Sequence, residues 1–224
     1  MKKLIEMGWI DECSDRRSKA KATLGFFGVV SSIKVPHVVE AAFRRSEAFA
    51  TNPWALAAWL RKGEIEAMNL PVKGYDKSTF IQNLKLIRQL TTKLPEQFVP
   101  EMKKICAASG VTLLFVQELP KTSTSGATRW LGPDRPLIQL SLRHKCDDMF
   151  WFSFFHEAGH VVYEHAKRDI LLENKFTSSL DQREKIANQF ASELLIPAAD
   201  IAIFIATQRL SLKSICEFAE TQGI

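Results

Sequence analysis

The chain has 224 residues, enough for one large domain or two small ones, and 46% of them are hydrophobic, as in an ordinary globular protein. No segment is both long and free of charges, so we expect no membrane span, and the N-terminus lacks the apolar core of a secretory signal. The four cysteines are scattered, which argues against a disulfide framework or a cysteine zinc site. We therefore expect a cytoplasmic protein with reduced thiols.

Charge gives little indication of a nucleic-acid partner. The formal net charge is +5, and basic residues cluster early, in the stretch Arg16-Arg17-Ser18-Lys19-Ala20-Lys21. A solvated helix face explains such a cluster as well as contact with nucleic acid does. Aromatic and basic residues do not alternate as they do in a groove for single strands. We do not expect this chain to bind DNA by itself.

The hydrophobic spacing of residues 1–92 predicts a helical accessory or connecting region. A helix within Ser18–Val29 ends near Gly28, Val35-Pro36 opens the next segment, and Asn52-Pro53 combines a cap with a proline start. Ser78 is the predicted N-cap of a further helix. Apolar residues recur in that helix at helical spacing: Phe80, Leu84, Ile87 and Leu90.

Residues 93–200 combine helices with short strands, so the predicted fold class is α+β, mainly helical with a small sheet. Pro95 and Pro100 indicate a loop, followed by a short helix over Glu101–Ser109 that Gly110 ends. The predicted strands are Val111–Val116, Thr128–Trp130 and Leu137–Ser141.

A helix from Met149 to about His165 follows, capped by Asp147 or Asp148. It is apolar nearly all round, which predicts that it is buried.

The remaining helices lie after a loop. Ser178 or Ser179 caps a helix that Pro197 ends, and Ser211 caps a last one. Residues 201–224 are predicted to form part of a small helical unit whose second helix would follow, so we expect a partial chain.

The buried helix carries the sequence His156-Glu157-Ala158-Gly159-His160. Histidines at i and i+4 lie on one helix face with Cβ atoms about 5–6 Å apart, which suits two nitrogen ligands of one zinc ion. Glu157 is next to the first histidine, where a general base can reach water at the metal. Burying these groups without a metal or hydrogen-bond partners would be costly, so we interpret the motif as a metal site.

Catalytic zinc usually has three protein ligands. His165 would lie about 140° further round a continuous helix than His160 and is expected to point elsewhere. Glu184 is the predicted third ligand, because Ala187 and Ala191 share its helix face and allow a close approach. Glu193 is the rival, and an exposed charged face is the alternative for Glu184.

Three further residues have predicted supporting roles. Asn188, one turn after Glu184, is placed to accept a hydrogen bond from a ligand histidine. Ile138 and Leu140 lie on a strand that we expect to flank the cleft and pair with an extended substrate peptide.

Two blocks together carry a resemblance to a known family. The stretch 154–160 and the stretch 184–197, which closes with Leu-Leu-Ile-Pro, are similar in sequence and spacing to the ImmA/IrrE metallopeptidases. The resemblance covers about residues 100–200, including Ser125-Gly126-Ala127-Thr128. It implies a gluzincin-like zinc peptidase core in which His156, His160 and Glu184 bind Zn²⁺ and Glu157 is the base.

The resemblance also implies a regulatory role. Members of this family are known for cleaving helix-turn-helix repressors, so the expected partner is a protein or peptide substrate of that kind. The region before the core resembles fusions in which a helix-turn-helix domain precedes the peptidase, and DNA contact is expected only through such a domain, which is not visible here. The alternative is a non-enzymatic zinc-binding sensor or an antitoxin-type transcriptional regulator.

Overall fold

The computed structural model of the chain describes residues 1–29, 52–71, 73–122, 124–141, 146–165, 171–172, 182–207 and 211–224. The helices within these ranges are α1 (Lys2–Glu6), α2 (Arg16–Phe27), α3 (Pro53–Met68), α4 (Lys77–Arg88), α5 (Pro95–Ala108), α6 (Asp147–Val162), α7 (Gln182–Leu195), α8 (Ala198–Ala206) and α9 (Leu212–Gln222). The strands are β1 (Thr112–Phe115), β2 (Gly126–Trp130), β3 (Pro136–Leu140) and β4 (Leu171–Leu172). The α+β class predicted from the sequence is confirmed.

The sheet has the strand order β1-β3-β2-β4. β3 runs parallel to β1, with Leu113 opposite Ile138, and antiparallel to β2, with Thr128 opposite Ile138. β2 also pairs antiparallel with β4. The three longer strands therefore occupy the middle of a helical molecule, and every residue of β3 is buried.

Helices cover both faces of this sheet. Ile138 and Leu140 belong to the main core, which α4, α5 and α6 complete. The opposite face contributes Leu114 and Leu137 to a second cluster with α3, where the Trp59 Nε1–H donates to the carbonyl of Val116 at 2.9 Å. The alternation of side chains along a strand thus divides the apolar residues between two helical layers.

The predicted division at residue 92 does not coincide with a gap in the packing. Phe80 and Leu84 of α4 are fully buried in the same cluster as Phe154 of α6. The domain boundary stays a prediction, but α4 contributes to the core that positions α6.

Two cap predictions are confirmed. The Asn52 side chain accepts hydrogen bonds from the backbone N–H groups of Trp54 and Ala55, and the Ser211 side chain accepts from Ser214. The Ser78 prediction is wrong, because the Asp76 carboxylate caps α4 and also accepts from the Ser78 hydroxyl. Neither Asp147 nor Asp148 caps α6, since its N-cap is Cys146 and makes no side-chain cap bond.

The predicted loop around Pro95 and Pro100 is helical, so α5 begins six residues before the predicted Glu101. Pro95 occupies a first-turn position, where its missing N–H costs little. The apolar stripe Phe98, Met102 and Cys106 is buried against the main core. Burial of this stripe offsets the backbone hydrogen bond that Pro100 cannot donate. The predictions at Val35-Pro36, Ser178 and Ser179 lie outside the described residues.

Among the described residues, no single helix is long and apolar enough to cross a membrane. Helices α7 and α8 have the length and composition of a membrane span only when they are taken together, and a bend of 67° separates them.

Among the described residues, helices α6 and α7 approach each other closely at Gly159. A Cβ atom on Gly159 would lie 3.2 Å from both the Ala187 Cα and the Phe190 Cδ1. Ala187 and Ala191 have no solvent exposure. Glycine and alanine therefore allow the two helix backbones to lie side by side at this position.

We predict that Gly159→Leu lowers the free energy of unfolding by about 1–3 kcal/mol, because the new side chain forces α6 and α7 apart. The matched control is Gly25→Leu in α2, where an added Cβ meets nothing within 4 Å and the better helix former raises stability by up to about 1 kcal/mol. Urea unfolding measures both. Equal effects of the two substitutions would contradict this account of the helix contact.

Candidate metal centre

Helix α6 brings its two histidines together inside the protein. His156 and His160 are 3% and 1% exposed, and their Nε2 atoms are 3.1 Å apart. The helix is buried because its sequence is apolar nearly all round, so the imidazoles are buried with it. Burial of polar rings is stable only if each nitrogen has a partner.

The third member of the group comes from α7. Glu184 Oε2 lies 3.2 Å from His156 Nε2, and Glu184 Oε1 lies 3.4 Å from His160 Nε2. Glu184 is in the first turn of α7 and is buried, so it does not belong to an exposed charged face. The contact between Gly159 and Ala187, one turn away, makes this reach possible.

These spacings suit a metal ion. Two ligands at about 2.0–2.1 Å from a tetrahedral centre are separated by roughly 3.3–3.4 Å. The two histidine Nε2 atoms are 3.1 Å apart, Glu184 Oε2 lies 3.2 Å from the first and Glu184 Oε1 lies 3.4 Å from the second. One ligand atom from each of the three residues lies within 4.8 Å of the other two. The three residues could therefore hold one metal ion with two nitrogen ligands and one oxygen ligand.

The carboxyl of Glu184 is charged at neutral pH. Burial acts to raise its pKa, but hydrogen bonds and charge interactions with His156 and His160 outweigh burial and lower the pKa to about 2. The group thus presents an anionic oxygen beside two imidazole nitrogens, which suits a divalent cation.

Asn188 lies beside the first histidine, in the position predicted from the sequence. Its Oδ1 atom is 2.9 Å from His156 Nδ1. When His156 binds a metal through Nε2, its proton lies on Nδ1, and the Asn188 amide oxygen is placed to accept it. The Nε2 lone pair of His156 is then directed at the group formed with His160 and Glu184.

The rival carboxylate has another partner. Glu193 Oε2 accepts a hydrogen bond from the backbone N–H of Ala198 at 3.1 Å, so it stabilises the first turn of α8. The described metal-ligating group contains Glu184 and does not contain Glu193.

Glu157 is held between α6 and β2. Its side chain is fully buried, and the Thr128 hydroxyl lies within hydrogen-bond distance of its Oε2. A Cβ atom on Gly126 would lie 2.7 Å from Glu157 Oε1, so only glycine leaves room for the carboxylate here. Strand β2 therefore fixes the position of this acid.

His165 does not belong to the described metal-ligating group, as predicted, but the expectation that its side chain points away from His160 is wrong. His165 Nδ1 lies 3.1 Å from His160 Nδ1. The prediction assumed a continuous helix, but α6 ends at Val162 and Glu164 adopts a left-handed conformation with φ of 56°. The chain reverses there and brings His165 back to the ligand histidine.

The strand that we predicted to pair with a substrate is not at an edge. β3 is paired on one side with β1 and on the other with β2. Ile138 and Leu140 are buried in the main core. The correction has a topological cause, since strand order in the sheet differs from strand order in the sequence.

Comparison with known protein families agrees with this geometry. The model of the M78 peptidases, described as the IrrE N-terminal-like domain, matches residues 109–223, half of the chain. The chain belongs to the M78 peptidase family. The resemblance to ImmA/IrrE proteins inferred from the sequence is thereby confirmed. No curated protein matches the chain.

The M78 match begins just before β1 and continues through α8 and α9, beyond the core predicted at residues 93–200. α8 and α9 pack on each other through Phe204 and Phe218, whose ring centroids are 4.4 Å apart. Arg88 of α4 donates hydrogen bonds to the carbonyls of Leu195 and Gly223. The contacts of Arg88 attach the end of the M78 domain to α4, which precedes the matched residues.

We predict one divalent metal ion per chain in this M78 domain. His160→Ala and Glu184→Ala each remove a ligand and should abolish stoichiometric binding, whereas Glu193→Ala should retain it. Elemental analysis of the purified variants measures the result. Binding that survives in Glu184→Ala and disappears in Glu193→Ala would show that Glu193, and not Glu184, is the third ligand.

Proposed function

We propose that the protein is a zinc-dependent endopeptidase that acts in the cytoplasm. The observation that carries the proposal is the buried group of His156, His160 and Glu184, whose potential ligand atoms converge on one point, next to the buried acid Glu157. Two imidazoles and a carboxylate match a ligand set of catalytic zinc, which leaves a fourth position open. Membership of a peptidase family supports hydrolysis of peptide bonds as the reaction.

Zinc bound by these residues would supply a Lewis acid that polarises a peptide carbonyl and acidifies water. The chain's own contribution is a proton carrier. In the proposed mechanism the Glu157 carboxylate accepts a proton from the attacking water and later donates it to the leaving amine. Thr128 and Gly126 support this role, since they hold the carboxylate against β2 and limit its rotation.

We propose a helix-turn-helix repressor as the natural substrate, so that cleavage regulates transcription. The proposal rests on the family resemblance, since a peptidase needs a protein substrate and the ImmA/IrrE peptidases are known for substrates of this class. A repressor encoded beside this chain, or fused to it, is the first substrate to test.

We predict that Glu157→Gln lowers cleavage by a factor on the order of 10² or more, because it removes the basic carboxylate and keeps its shape. Metal content should equal that of the parent, because Glu157 does not belong to the ligand group. The measurement is cleavage of the candidate repressor by the zinc-loaded protein, with elemental analysis alongside.

Two outcomes would contradict this assignment. A variant that cleaves as fast as the parent would show that Glu157 is not the base. The second outcome is that the parent cleaves no repressor, while the variant keeps both its zinc and its effect on transcription. That result would favour a zinc sensor over an enzyme.

We predict that Thr128→Val slows cleavage by about tenfold without removing zinc. It takes one hydrogen-bond donor from a buried carboxylate, a loss of about 1–3 kcal/mol, and 1.4 kcal/mol corresponds to tenfold in rate. Thr128→Ser keeps the hydroxyl and is the matched control. Equal cleavage rates for Thr128→Val and the parent would show that the hydroxyl does not orient Glu157.

A further inference from the structure

The C-terminal turn of α6 returns the chain onto the helix it has just left. The N–H of Glu164 donates to the carbonyl of Val161 at 3.1 Å, and the N–H of His165 donates to the carbonyl of His160 at 3.0 Å. Glu164 has a left-handed backbone conformation, and together with it these two bonds form a Schellman motif. In such a motif the residue after the left-handed one contacts the residue five positions earlier, so His165 lies against His160.

The contact between His165 and His160 is polar, and it joins one specific nitrogen atom of each ring. Apolar side chains usually meet at this position of the motif, whereas here two imidazole nitrogens face each other at 3.1 Å. The Tyr163 ring stacks on His165 with 20° between the planes and 5.6 Å between centroids, and Phe190 supports Tyr163 from the side. His165 is therefore held in place by the turn and by a ring stack.

The position of one proton follows from the ligand geometry. Nε2 of His160 faces His156 and Glu184, so ligation through that atom requires its proton to lie on Nδ1. Nδ1 then needs an acceptor, and the His165 Nδ1 atom stands at hydrogen-bond distance. His165 thus has the same relation to His160 that Asn188 has to His156.

We propose that His165 is a positioning residue for the metal centre. Its Nδ1 accepts the Nδ1–H of His160, which directs the Nε2 lone pair of His160 at the metal and fixes the ring orientation. The inference rests on the proposed zinc site and adds to it a residue outside the ligand motif. Partners of this kind alter metal affinity by about 10- to 100-fold when they are removed.

Two substitutions separate hydrogen bonding from packing. His165→Phe keeps a ring under Tyr163 and removes the acceptor. His165→Asn loses the ring and places an amide oxygen near the position of Nδ1. Tyr163→Phe is the control, since it keeps the stack and leaves both imidazoles unchanged.

The experiment measures the zinc dissociation constant by competition with a chromogenic chelator, and thermal unfolding checks that each variant is folded. We expect His165→Phe to bind zinc about 10- to 100-fold more weakly, and His165→Asn and Tyr163→Phe to bind close to the parent. If His165→Phe does not fold, His165→Ala takes its place as the variant without an acceptor.

The possible results are distinct. Weak binding by a folded His165→Asn, or parent-like binding by the variant without an acceptor, overturns the positioning role while the zinc site itself stands. A parent that binds no zinc, under conditions in which it is folded, is instead a failure of the proposed function.

Discussion

The close contact between α6 and α7 is the constraint on which the site depends. Two ligands lie on one helix and the third on another, so the backbones must lie close enough for a short carboxylate side chain to reach both imidazoles. Gly159 and Ala187 provide that closeness at the crossing, one turn from Glu184. A larger residue at either position would separate Glu184 from the histidines before it disturbed any ligand directly. The packing of α6 against α7 is therefore a condition for Glu184 to lie beside the two histidines.

The second requirement is that the polar side chains of the site are held in position, and the residues that hold them come from different elements. Asn188 of α7 contacts His156, His165 from the turn after α6 contacts His160, and Thr128 of β2 contacts Glu157. Each contact limits the rotation of a group whose direction decides its chemistry. The site therefore depends on the packing of β2, α6 and α7 against one another, because each of these elements supplies or holds one of its groups.

The sequence predicted the parts of this site that depend on local spacing. The i, i+4 histidines, the small residues on the face of Glu184 and the position of Asn188 all follow from helix periodicity, and the structure brings these residues together. It did not predict His165, because the left-handed Glu164 ends the helix where the apolar pattern alone suggested continuation. It misjudged β3, because strand order depends on contacts between distant segments. The helix at Pro95 differs from the predicted loop because a first-turn proline is compatible with a helix and the apolar stripe that follows it is buried.

The central claim is that His156, His160 and Glu184 hold one zinc ion. An anomalous difference map recorded at the zinc edge, from crystals of the zinc-loaded protein, tests it directly. The account predicts a single strong peak per chain, about 2.0–2.2 Å from Nε2 of each histidine and from a Glu184 carboxylate oxygen. A peak held by other residues, or a fully loaded protein whose peak lies away from these three side chains, would contradict it.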